Sequence, residues 1–112
     1  MSPAIQLLLI QIMQLGALLA DDPRHIVFTE THGHVSLVRV RIYTPESSWA
    51  EGSPDPTLVA TAEVYWEPFD WQMDDPARHA AALTDIQHQL EFMRAALHAY
   101  LPNGPEQRKE AA

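Results

Sequence analysis

The sequence predicts an α+β protein in the order αβββα: a helix, a three-stranded antiparallel sheet and a second helix, with both helices on one sheet face. Three observations carry this. An uncharged apolar run opens the chain, alternation of period two fills its middle, and an apolar stripe with spacings of three and four runs through residues 83–100. A length of 112 residues suits one domain, read here as 1–105 with a polar tail at 106–112.

Residues 3–20 contain no charged side chain, and Gln6, Gln11 and Gln14 are the polar interruptions. At 100° per residue, Ile5, Leu8, Leu9, Ile12, Leu15 and Leu19 form a purely apolar arc that suits packing on a sheet. The glutamines share the opposite arc with Leu7, Ile10 and Leu18, which lack an evident cover within the chain. The expectation is a homodimer with these three residues at its contact. No Lys or Arg precedes the run, and Leu18-Leu19-Ala20 is not a small-x-small cleavage site. Three glutamines also make a poor membrane span. The run is therefore expected to be an uncleaved helix of a cytoplasmic protein that uses no membrane.

After Asp21-Asp22-Pro23 the period changes. Residues 25–31 are rich in β-branched and aromatic side chains and read as a strand, closed by a turn at Gly33. Residues 35–43 alternate, with Ser36, Val38, Val40 and Ile42 opposite Val35, Leu37, Arg39, Arg41 and Tyr43. Residues 44–56 are a loop by composition. Alternation returns at 58–66, where Leu58, Ala60, Ala62, Val64 and Trp66 oppose Val59, Thr61, Glu63 and Tyr65.

Residues 67–73 read as an irregular acidic and aromatic segment. Asp75 is then a helix N-cap with Pro76 at the first helical position. The stripe Leu83, Ile86, Leu90, Met93, Leu97 and Tyr100 follows, and Pro102-Asn103-Gly104-Pro105 ends the helix. The core is expected to centre on Val38, Val40, Ile42, Leu83, Ile86, Leu90 and Leu97.

The element order is similar to that of double-stranded-RNA-binding domains over most of the chain. Such a resemblance implies a lysine-rich start to the second helix, and here that position reads Asp74-Asp75-Pro76-Ala77-Arg78-His79. With 15 acidic against 7 basic residues and a formal charge of −8, direct nucleic-acid binding is not expected. There is no cysteine, which excludes disulfides and thiolate chemistry. The four glycines form no phosphate loop, no serine sits in a nucleophile elbow, and the Asp21-Asp22 and Asp74-Asp75 pairs lie at helix boundaries. His32-Gly33-His34, with Glu30 nearby, offers two imidazoles, but nothing in the spacing brings a third ligand to them. No catalytic residue, metal ligand or cofactor is assigned, and the chain is not expected to be an enzyme.

The charge is uneven. Between Arg41 and Arg78 there is no Lys or Arg, yet Glu46, Glu51, Asp55, Glu63, Glu67, Asp70, Asp74 and Asp75 all fall there. Aromatics crowd the same third of the chain, and aromatic side chains anchor protein interfaces. Trp49 lies in the breaker-rich loop, where no periodic pattern assigns it to the core. The expected function is a small acidic protein-binding module, such as an inhibitor or nucleic-acid mimic, acting on a basic partner surface. The expected contact residues are Trp49, Glu51, Glu63, Tyr65, Glu67, Asp70 and Trp71. The alternative is a homo-oligomeric structural or chaperone-like subunit. Small acidic chains without cysteine include phage-encoded inhibitors and secretion chaperones, a likeness of composition.

Overall fold

The computed structural model describes residues 1–101, so the expected helix stop and polar tail at 102–112 lie outside the described residues. Helix α1 spans Pro3–Ala20. Ser2 caps it by accepting a hydrogen bond from the Ile5 amide at 3.2 Å, and Pro3 occupies its first turn, where no intrahelical donor is needed. Strands β1 (Ile26–His32), β2 (Leu37–Tyr43) and β3 (Leu58–Tyr65) follow as an antiparallel meander in the order β1-β2-β3. A one-turn helix α2 (Asp70–Met73) and the long helix α3 (Pro76–His98) complete the described chain. Asp75 caps α3 by accepting from the Ala77 amide, as the Asp-Pro signal predicts.

Register decides which side chains meet the helices. Val38 lies between Thr31 and Val64, Val40 between Thr29 and Ala62, and Ile42 between Val27 and Ala60. These positions share one sheet face, because successive strand residues alternate sides. Against that face α1 contributes Ile5, Leu8, Ile12 and Leu19, and α3 contributes Ile86, Leu90, Met93 and Leu97. Both helices therefore cover one face of an α+β protein. The principal extents are 48 × 44 × 17 Å, a thin molecule of two layers.

Four details depart from the sequence reading. The strand expected over residues 35–43 begins only at Leu37, because Gly33–Val35 form a 3-10 turn and Ser36 takes left-handed backbone. Ala82, not Leu83, is the buried residue at the start of the α3 stripe, and Leu83 packs half-buried beside it. Leu37 is buried although its neighbours Arg39, Arg41 and Tyr43 are not, because His32 and Tyr65 flank it in register. The segment 67–73 is not wholly irregular, since α2 supplies a helical turn. Gln72 there accepts a hydrogen bond from the Phe69 amide at 2.8 Å.

Two contacts join the layers at specific residues. Gly16 of α1 is buried against Thr29 of β1, and a methyl group at position 16 would come within 2.9 Å of Thr29 Cβ. At the end of α1, the buried Asp22 carboxylate is gripped by the Arg24 guanidinium at 2.8–3.2 Å and by the Arg24 amide. Arg24 also donates to the Tyr100 carbonyl just beyond α3, tying the two helix ends together.

Candidate functional site

The antiparallel order separates the expected contact residues. Tyr43, which leads into the 44–57 loop, pairs with Ile26 and Leu58, whereas Tyr65 pairs with Leu37, the partner of His32. These two ends of the sheet are about 20 Å apart at the rise of an extended strand. Trp49 and Glu51 belong to the first end. Tyr65, Glu67, Asp70 and Trp71 belong to the second.

At the first end Trp49 folds back onto the open sheet face. Its ring meets Tyr43 at 4.9 Å and Phe28 at 5.3 Å, both edge-to-face, and Phe28 meets Tyr43 at 5.9 Å. Edge-to-face packing aligns the positive ring edge of one aromatic with the negative face of another. Trp49 thus belongs to a small aromatic cluster, an assignment no local periodicity reveals, yet 53% of it stays accessible. The loop carrying it is held by its own hydroxyls: Ser47 Oγ accepts from the Thr57 amide, and Ser48 Oγ accepts from the Ala50 amide.

Ion pairs occupy the open face between the two ends. Arg41 donates to Glu30 and lies over the Phe28 ring at 5.4 Å. The Arg41 hydrogen bond holds the Glu30 carboxyl below its ordinary range against the opposing effect of burial, with His32 Nε2 at 3.2 Å adding to it. Arg39 pairs with Glu63 at 3.0 Å across β2 and β3, so Glu63 is a neutralised strand residue. The His32 and His34 rings stand 6.5 Å apart. No group of three or more His, Asp or Glu side chains that could hold a metal ion occurs among the described residues.

At the second end the chain builds a cleft of about 250 Å³ lined by His34, Tyr65, Glu67, Phe69 and Asp70. Tyr65 and Phe69 form its aromatic wall, with ring centroids 5.3 Å apart. Beside it, α2 projects Trp71, which is 61% exposed, and Met73 is also more than half exposed. Arg78 donates to the Trp71 carbonyl at 3.0 Å and pins this turn to α3. Glu67 and Asp70 line this cleft with negative charge, and Asp74 and Asp75 follow α2 directly in sequence.

Two further apolar surfaces are open. Leu7, Ile10 and Leu18 of α1 are each at least half exposed on the outer side of the helical layer. By length and composition α1 could cross a membrane, while Ile5, Ile12 and Leu19 are among the most deeply buried side chains of the core. The second surface is a groove of about 560 Å³ between β3 and α3, with Ala60, Ala62 and Val64 as its floor and Phe92, Met93 and Leu97 as its wall. Sequence reading missed it. The signal was available in the small side chains Ala60 and Ala62 opposite a bulky Phe92 that lies off the core stripe.

The fold and these surfaces define an α+β chain with a helical layer on one sheet face. No protein family, curated protein or solved structure matches it.

Proposed function

We propose that the chain is a protein-binding module whose contact surface is the acidic, aromatic end formed by Tyr65, Glu67, Phe69, Asp70 and Trp71. The observation that carries this reading is the composition of one turn. Phe69, Trp71 and Met73 are about half exposed or more, within a segment holding Glu67, Asp70, Asp74 and Asp75 and no basic residue before Arg78. Exposed aromatics on a pinned turn suit an interface anchor, because little side-chain freedom is lost on binding. Carboxylates around them favour a partner segment rich in Arg or Lys, whose guanidinium or ammonium groups also interact with Trp71 and Tyr65 faces. Trp49 and Glu51 belong to the opposite end of the sheet and are left out of this contact.

Affinity capture from source-cell lysate, with wild type beside Trp71→Ala and Glu67→Gln/Asp70→Asn, tests the proposal. A basic protein retained by wild type and lost by both variants is the expected result. An unchanged captured set in both variants overturns it.

A further inference from the structure

The geometry points to a second copy of this chain as the occupant of the β3 edge and its neighbouring groove, joined by antiparallel β3–β3 pairing about a two-fold axis at Ala62. This self-association uses a different surface from the acidic end proposed above, with which it shares only Tyr65.

Three observations lead there. First, β3 is an edge strand whose protection is confined to the register irregularity at its Leu58 end. Among the described residues its outer backbone groups have no strand partner, and between Leu58 and Tyr65 there is no proline, glycine or lysine. Its one charge, Glu63, is already paired with Arg39. Edges left in this state template pairing with another chain. Most β3 side chains are exposed, whereas β1, the other edge strand, is mostly half-buried and packs against α1.

Second, the strand is complementary to itself. Antiparallel partners must place their side chains on the same sheet face. The register irregularity beside Ile42/Tyr43 limits regular pairing at the Leu58 end and leaves residues 60–65 even, and within them the covered-face positions Ala60, Ala62 and Val64 are symmetric about Ala62. A two-fold axis there sets Ala62 against its own copy, Ala60 against Val64, and Thr61 against Glu63. No like charges meet, and every covered-face position faces another covered-face position.

Third, the same axis closes the apolar groove. The groove floor continues across the axis as Ala60, Ala62 and Val64 of both copies. Phe92, 78% exposed at its rim, gains apolar surface from the second copy. The five paired residues, 60–64, span about 16 Å at strand rise, and with a thickness of 17 Å they project roughly 280 Å² per copy. That is about a third of the ~800 Å² per partner removed in a standard interface, and the apolar groove with Phe92 at its rim supplies further contact. The α1 face with Leu7, Ile10 and Leu18 has no backbone edge beside it, and its leucines alternate with glutamines.

Because the chain lacks cysteine, single cysteines report the geometry directly. Residues directly opposed in an antiparallel pair are about 4.5–5.5 Å apart at Cα, within disulfide reach. Purified Ala62→Cys, under mild oxidation, is expected to crosslink to twice the 12.6 kDa chain mass, while Ile10→Cys stays single. Light scattering on the cysteine-free protein is expected to show a dimer whose dissociation constant rises about tenfold or more in Phe92→Glu. A monomer at all concentrations up to crystallisation range overturns the proposal. So does a dimer that crosslinks through Ile10→Cys and not through Ala62→Cys, or one whose β3 edge binds only an unrelated extended peptide. Circular dichroism on each variant confirms that a lost dimer is not a lost fold.

Discussion

Thr29 shows how much a single contact decides in so thin a molecule. Its hydroxyl is buried without a hydrogen-bond partner among the described residues, held against Gly16 where α1 crosses β1. Replacing it with the isosteric Val removes an unpaired polar group at constant volume. Thr29→Val is expected to stabilise the fold by about 1 kcal/mol in urea melts. Gly16→Ala tests the other side of this contact. Alanine favours a helix over glycine by about 1 kcal/mol, but its methyl group collides with Thr29. Overpacking costs about 1–3 kcal/mol, so the expected net result is destabilisation, and a gain in melting temperature would contradict the close approach. Asp22 adds a pH dependence. The Arg24 hydrogen bonds hold its carboxyl below the ordinary 3.8, and burial opposes them without prevailing. A depressed native pKa means stability that is present above 3.8 and lost as pH falls through the lower, native value. Asp22→Asn should therefore be less stable than wild type near neutral pH, with the gap narrowing once pH falls below that range. A gap that widens on acidification would reverse the assigned sign.

Among the elements, α1 and α3 each place four side chains in the core cluster, and in α3 the most deeply buried of them is Leu90. Leu90 is fully buried where α3 meets the other core elements. Leu90→Ala is expected to cost about 2–5 kcal/mol in denaturant melts, and a loss below about 0.5 kcal/mol would remove it from the core. This level of the structure was readable in the chain, because the signals are local. Asp75-Pro76 is a start signal on its own, and the alternation of Val38, Val40 and Ile42 needs no partner to be recognised. What escaped depends on neighbours distant in sequence. Leu37 is buried by His32 and Tyr65, Ala82 faces the core because of the rotation α3 adopts against α1 and the sheet, and Trp49 finds Phe28 across the loop. The groove beside β3 escaped for the same reason, since only the placement of α3 leaves Ala60 and Ala62 uncovered.

On the scale of the whole molecule, the sequence locates the acidic third but merges two surfaces that the meander keeps apart. Antiparallel connection alone separates them: the chain leaves β2 at one end of the sheet and leaves β3 at the other. Glu51 accordingly belongs to the end of the sheet opposite the Glu67–Asp70 cleft, and the roughly 20 Å between those ends gives the proposed binding a salt signature. Charges steer a basic partner only within about a screening length, near 8 Å at 0.15 M salt and near 30 Å at 0.01 M. With the partner obtained by capture, stopped-flow association at about 0.15 M salt should slow in Glu67→Gln/Asp70→Asn and stay at the wild-type rate in Glu51→Gln. At about 0.01 M salt both ends lie within one screening length, so Glu51→Gln should slow association as well. Trp71→Ala should leave the on-rate nearly intact and speed dissociation, because an anchoring aromatic acts after encounter. Equal slowing by Glu51→Gln and by the cleft variant at both salt concentrations would instead spread the contact over the whole acidic third.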